Sequence, residues 1–301
     1  MAERPDYVRH GSSGGSSRLA ALAGVVVAAG AVAALAWGVT QAVREEAAPP
    51  PPPPPPATVP QKPTLRIVFP EGFTRADMAK RIAEVNKIAR KKRKITPELR
   101  PKAYLRWSAS AKPPPGFEGA DPPHLEGFLF PATYEFTADT TSRALVRKQL
   151  EAFERAWSEV DLGDAKKKNL TPYDVLIIAS MVEKEVQVPR ERALVAGVIY
   201  NRLRLGMTLG IDATIRYGAG VPATESLRES HLEDTTNPYN TRLHAGLPPT
   251  PIANPGLAAM EAAAHPAQTD YLFFVRNADC KTHFFTASQA EHDAHAAGPR
   301  C

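Results

Sequence analysis

The stretch "IIASMVEKEV", residues 177–186, joins an apolar run to two acids, Glu183 and Glu185, with Lys184 between them. Ahead of it, Thr171 and Pro172 form an N-cap and first-position pair. The apolar residues from there to Val182 are too many for a surface helix, so the pattern predicts a helix buried nearly all round. Three and four positions before Glu183 stand the small residues Ser180 and Ala179; before Glu185 stand Val182 and Met181. A helical side chain lies over the preceding turn, so Glu183 borders a shallow depression and Glu185 a filled surface. A carboxyl partly shielded from water beside a buried helix has a raised pKa, as a general acid working near neutral pH requires. The alternative is a solvated C-terminal turn, although acids there oppose the negative pole of the helix dipole.

The chain around this helix has 301 residues, enough for one or two domains of about 100–200 residues. Its 37 Lys and Arg against 32 Asp and Glu give +5, and the excess is concentrated in "RKKRK", Arg90 to Lys94. This argues against nucleic acid as a partner. The run reads as a solvated helix end, with an anionic polymer or membrane surface as the second reading. Two cysteines, Cys280 and Cys301, form no disulfide framework or zinc spacing. "HDAH" (His292 to His295) lacks the glutamate of a helical zinc motif. No metal or cofactor is expected.

Residues 19–40 carry no charge and are long enough to cross a bilayer as a helix, which takes about 20 residues. A cleaved signal peptide is the alternative, but its apolar core runs to only about 7–15 residues. Arg4, Arg9 and Arg18 precede the span, whereas only Arg44 and Lys62 follow it closely, so the N-terminus (1–18) is expected in the cytoplasm. The linker 41–63 contains an unbroken proline run from Pro49 to Pro56. Such a run adopts extended polyproline II and acts as a semi-rigid stalk, with an SH3-type ligand as the other reading.

Beyond the stalk, Leu65 to Phe69 reads as a strand, followed by a Pro-Glu-Gly turn and a helix. Thr74 caps that helix with Asp77, and Met78, Ile82 and Val85 supply its apolar spacing. A Pro-rich passage marks a domain boundary near 120, with "GFLF" and "TYEF" as short strands or extended segments around Pro131. A helix is predicted over Ser142 to Trp157. Another, carrying Leu194, Val195, Val198, Ile199 and Leu203, ends at Gly206. "GIDATIRYG" reads as a glycine-bounded extended piece holding Asp212, Thr214 and Tyr217. The long loop "NPYNTRLHAGLPPTPIANPG" (237–256) reads as functional, its Tyr, Asn, Thr and Arg side chains suiting a hydroxyl-rich substrate, against solvated loop chemistry. Two strands joined by Asn277 to Cys280 form a hairpin, and Thr286 with Gln289 is expected to cap a last helix.

The segments "FPEGFTRADMAKRIAE", "LEGFLFPATYEF", "IIASMVEKEV", "VIYNRLRLGMTLGIDATIRYG", "YNTRLHAGLPPTPIANPGLAAMEAAAHPA" and "YLFFV…HFF", in this order over about residues 64–296, resemble the YceG-like (MltG) endolytic murein transglycosylases. The resemblance implies an α+β fold: a LysM-like βα submodule over 64–120, then a mixed α+β catalytic domain over 121–301. It implies a bacterial inner-membrane protein, single-pass, with the catalytic domain periplasmic. Its activity is that of a lyase, cutting the β-1,4 bond between N-acetylmuramic acid and N-acetylglucosamine within nascent glycan strands. The product is a 1,6-anhydromuramic end, which would terminate glycan elongation. The family's catalytic glutamate, the first of "VEKE", falls on Glu183, with Glu185 in a supporting place. Tyr200, Asn201, Arg202, Asp212, Thr214, Tyr217, Tyr239, Asn240 and Thr241 match family motifs and are expected to line a glycan groove. Expected partners are peptidoglycan glycan strands, the membrane and cell-wall synthases. Ala213 departs from the proline that the family often has there, and the submodule is short and basic around "RKKRKITPE".

A single acid suits a lyase. Glu183 and Glu185, two positions apart on a helix, point about 200° apart and do not flank one sugar bond, whereas glycoside hydrolysis ordinarily uses a flanking pair. A transglycosylase takes its nucleophile from the C6 hydroxyl of the same sugar. The rival reading is a non-catalytic peptidoglycan-binding scaffold of the elongation machinery.

Overall fold

The structure, a computed structural model, describes residues 62–299. The expected cytoplasmic tail, membrane helix and proline stalk fall outside the described residues, save for the last two of the linker. Among the described residues, no helix is long and apolar enough to cross a membrane.

The described chain is mixed α+β. Strand β1 (Leu65–Val68) pairs antiparallel with β2 (Thr133–Phe136), in a register running from Leu65 opposite Phe136 to Val68 opposite Thr133. Between them lie α1 (Arg75–Ile88) and α2 (Pro101–Ser110), giving a βααβ unit. Thr74 caps α1 in a reciprocal box with Asp77, as its sequence predicts. The basic run continues α1 as one wide turn, Ala89–Arg93, and Lys94 closes it at φ 56°. The basic side chains there are exposed at the end of the helix. β1 finds its sheet partner in β2, so the two strands with α1 and α2 between them span Leu65 to Phe136.

"GFLF" is a turn and not a strand. Gly127 sits at φ +91°, and the N–H groups of Gly127 and Leu129 both donate to Asn254 Oδ1 at 2.9 Å, which diverts them from any ladder. Phe128 instead enters a cluster with Phe117 (ring centroids 4.9 Å) and Phe153 (5.2 Å). Phe153 lies on α3 (Ser142–Trp157), which Thr141 caps. A short α4 (Gly163–Lys167) leads to the central helix α5 (Pro172–Glu185), opened by the Thr171–Asp174 capping box. Every residue of α5 from Val175 to Val182 is buried, against α6 (Arg192–Arg204) and α9 (Leu257–Ala264). That continuous apolar run explains why the helix lies in the middle of the molecule.

The segment expected to be extended around Asp212 is a helix, α7 (Asp212–Ala219). Its β-branched residues favour strand only as a local tendency, and tertiary partners override it. Gly210 at φ +64° turns the chain, the Ala213 N–H of the first turn favours the charged form of Glu185, and Gly220 at φ +66° ends the helix. Thr214 Oγ1 donates to Ile211 O at 2.7 Å, an arrangement open to threonine in a helix.

After the short α8 (Glu229–Leu232), the loop 237–256 runs to α9 in turns. The hairpin β3 (Phe273–Arg276) and β4 (His283–Thr286) follows as expected, tied to the rest of the molecule by a buried pair, His283 Nδ1 to Glu191 Oε2 at 2.8 Å. The last helix, α10 (Gln289–Ala296), is capped by Ser288 and not by Thr286. Thr286 ends β4 opposite Phe273, and its hydroxyl is engaged by the Ser288 N–H and by Glu291.

Candidate active site

Glu183 occupies the last turn of α5 and is half-buried. Two glycines make its niche. Gly72, at φ +73° in the turn after β1, lies over the side chain: a Cβ there would stand 3.6 Å from Glu183 Cγ. Gly256, the N-cap of α9, donates its N–H to Glu183 Oε2 at 3.1 Å. Below, Ser180 donates to Ile177 O at 2.7 Å and accepts from Ile252 N at 3.0 Å. The small residue read as the floor of a depression therefore also anchors the loop that supplies Gly256.

The environment raises the Glu183 pKa. Burial contributes most, and the negative charge of Glu71 adds to it; the Gly256 N–H and the charges of Arg192 and Lys184 act against it. Lys184 has a position of its own, donating from Nζ to Gly72 O at 3.3 Å and so holding the glycine turn over its neighbour.

Glu185 points elsewhere and is half-buried rather than open to solvent. Burial, aided by the charge of Asp212, raises its pKa; Arg276 and the Ala213 N–H oppose the rise. Its carboxylate serves the N-terminus of α7, where negative charge is favourable.

A third carboxylate lies deeper. Glu126, in "LEGFLFP", is 2 % exposed and accepts from the Arg75 N–H at 2.9 Å, Tyr217 OH at 3.1 Å and Asn254 Nδ2 at 2.7 Å. Burial pushes its pKa up to about 7 against the pull of those donors. Asn254 Nδ2 also reaches Phe73 O at 2.8 Å, while Asn254 O accepts from Gly72 N at 2.9 Å. One asparagine thus joins the Gly72 turn, the Glu126 turn and the approach to Gly256. Sequence reasoning missed Glu71, Glu126 and Asn254. An acid set between apolar Leu125 and Phe128, and the Pro-Glu-Gly turn, were the available signals.

The residues expected to line a groove fall into two groups. Tyr200 donates to Ala263 O, Asn201 to Thr269 O and Tyr271 O, and Arg202 to the carbonyls of Leu272, Thr208 and Leu209. Thr214 and Thr241 pair their hydroxyls at 2.9 Å in the interior, and Asn240 Nδ2 holds the carbonyls of Leu232 and Asp234. These six have their side chains engaged within the protein. Asp212 is exposed, and Tyr217 and Tyr239 are half-buried, as are Asn201 and Arg202. Asp212 pairs with Arg242 at 2.8 Å, and Tyr217 meets Tyr239 edge-on at 5.0 Å beside Glu126.

A cleft of about 430 Å³ opens nearby, lined by Glu159, Asp161, Arg192, Ala258, Glu261 and His265 among others. Glu183 does not line it, and Arg192 connects the two electrostatically. Among the described residues, no group of three His, Cys, Asp or Glu side chains is placed to hold a metal ion.

The comparisons with known proteins agree with this architecture. The YceG-like family matches residues 56–298. An endolytic murein transglycosylase of Bacillus subtilis (strain 168) is 37 % identical over 169 residues, covering 56 % of this chain and 46 % of that protein. One of Streptococcus pneumoniae serotype 2 is 32 % identical over 252 residues, covering 79 % of this chain and 45 % of that protein. The chain thus spans a little under half the length of these curated relatives. The crystal structure of a yceG-like protein from Listeria monocytogenes aligns with a TM-score of 0.63 at 28 % identity, covering 76 % of this chain and 75 % of that one. From the family match over nearly all the described residues, the chain belongs to the YceG-like family.

Proposed function

We propose that the chain is an endolytic peptidoglycan lytic transglycosylase, with Glu183 as its acid and base. The observation that carries the reading is the Glu183 niche: a half-buried carboxyl on a rigid helix, under Gly72, with one oxygen bonded to the Gly256 N–H. Burial favours its protonated form. Protonated Glu183 gives its proton to the glycosidic oxygen as the bond from the anomeric carbon to that oxygen breaks. The resulting carboxylate, steadied by Gly256 N–H, takes the proton of the C6 hydroxyl while O6 bonds to the same anomeric carbon. Glu183 ends ionised after the first transfer and protonated after the second, so no water is consumed and a 1,6-anhydro end results. The relatives' shared name, endolytic murein transglycosylase, supports murein as substrate.

In the same reading the βααβ unit is the LysM-like submodule, extended to Phe136. Residues 19–40 anchor the protein in the inner membrane, and the catalytic portion faces the periplasm beside the cell-wall synthases. Tyr217, Tyr239 and Asp212 contact glycan, while the other six groove candidates shape the walls through their internal hydrogen bonds.

The test is incubation of the full chain with murein and mass analysis of the products. Anhydromuramic ends are expected, absent with Glu183→Gln and still formed, at a lower rate, with Glu185→Gln. Glycan binding without any product would favour the scaffold reading. Reducing ends in place of anhydro ends would refute the lyase step.

A further inference from the structure

The turn Pro70–Glu71–Gly72 is fixed from two sides. The Gly72 N–H donates to Asn254 O at 2.9 Å, and Gly72 O accepts from Lys184 Nζ. This settles where the Glu71 side chain leaves the backbone, and it runs to Gly256. A Cβ placed on Gly256 would stand 1.9 Å from Glu71 Oε1 and 2.2 Å from its Cδ. The N–H of that same residue is given to Glu183 Oε2. Gly256 is therefore held between two carboxylates, which standard bond lengths put within about 7.5 Å of each other. Carboxyl pairs that flank a glycosidic bond in hydrolases stand about 5–9.5 Å apart.

Glu71 is not held in place by a salt bridge: it is exposed, and among the described residues no cation lies in ion-pair contact with it. The N-terminal end of α9 makes the location tolerable for negative charge. The charged groups acting on Glu183 are Glu71 from the turn, Arg192 from α6 and Lys184 from its own helix, with the Gly256 dipole from α9. Of these only Glu71 favours the protonated acid.

We propose that Glu71 is the second working carboxylate of the site, a fixed negative charge across Gly256 from Glu183 that keeps the proton on Glu183 until the glycosidic oxygen takes it. The same charge favours the cationic sugar that develops as the bond breaks. Glu71 accepts no proton and forms no bond, so the balance of the reaction is unchanged. The inference rests on the transglycosylase reading for its meaning in catalysis, although the electrostatic pairing is measurable without substrate.

The experiment follows the Glu183 carboxyl directly, by carbon-13 NMR of the full chain labelled at glutamate, with Glu183→Gln identifying the signal. In Glu71→Gln the Glu183 midpoint is expected at lower pH, and Glu71→Asp should recover part of the difference. Gly256→Ala, which drives the Glu71 carboxylate away, should move it in the same direction. On murein, Glu71→Gln should lose activity at every pH, with roughly threefold or more additional loss on the alkaline side as the limb moves down. A purely structural Glu71 would lower the rate without moving the limb. A Glu183 midpoint unmoved in folded Glu71→Gln and Gly256→Ala overturns the proposal. Absence of anhydro products from the unmodified chain would instead refute the transglycosylase reading, and the titration would still decide the pairing.

Discussion

Asn254 and Glu126 meet at 2.7 Å in the interior, with Asn254 Nδ2 donating to Glu126 Oε1, and this bond joins the two sides of the candidate site. The asparagine also serves Gly127 N, Leu129 N and Phe73 O. Asn254→Ala strands several buried polar groups at once and should cost about 3–5 kcal/mol in urea unfolding. Asn254→Asp keeps the shape but sets a carboxylate against Glu126. Its deficit should therefore shrink when the unfolding is repeated at acid pH, and a pH-independent deficit would contradict the electrostatic account.

Glu126 itself makes stability depend on pH. Its folded pKa of about 7 stands above the ordinary 4.5, so the folded state binds the proton more tightly than the unfolded chain. Stability from this group is then greatest below about 4.5 and is lost as pH rises to about 7, by at most roughly 3 kcal/mol. Glu126→Gln removes that slope. Parallel stability curves for the two proteins between pH 4.5 and 8 would show that Glu126 titrates normally.

Gly127 and Gly116 separate close packing from backbone conformation. Both have φ near +90°, but a Cβ on Gly127 would lie 2.6 Å from Pro251 Cγ, whereas one on Gly116 meets nothing within 4 Å. Gly116→Ala should cost about 1–2 kcal/mol, the strain of the left-handed region alone. Gly127→Ala should cost at least about 2 kcal/mol more, because Pro251 is held by the rigid loop. Equal melting temperatures for the two variants would refute the close approach.

The Glu191–His283 pair is buried on both sides, and the carboxylate also accepts the His283 N–H at 3.2 Å. Glu191→Ala leaves two donors unsatisfied and should destabilise by about 3 kcal/mol. Hydrogen exchange over 273–286 should rise most, since this pair fastens the hairpin to the start of α6. Glu191→Gln, which keeps one acceptor, should lose about half as much.

Much of the framework is written locally. The boxes Thr74–Asp77 and Thr171–Asp174, the apolar run of α5 and the stop at Gly206 each rest on residues within a few positions of one another, and all appear in the fold. Glu183 and Glu185, read apart from the sizes of the side chains one turn back, do meet different partners, Gly256 for the first and Arg276 for the second. What failed depends on remote partners. The first turn of α7 lies within the electrostatic reach of Glu185 on another helix, and "GFLF" turns because Asn254, far along the chain, takes two of its N–H groups. The cap expected at Thr286 falls on Ser288, because Thr286 is taken up by strand pairing opposite Phe273. Asn240 and Thr241 in the loop and Thr214 in α7 are buried with their side chains bonded inside the protein, and a sequence does not reveal which groups a side chain will have to satisfy.

The bond between Phe73 and Asn254 spans 181 residues of chain. Closing so wide a loop is entropically slow and comes after local helices have formed. The Gly256 N–H reaches Glu183 only once the segment near residue 256 is present. A chain interrupted before that point carries the acidic helix but lacks the Gly256 N–H that completes the Glu183 niche.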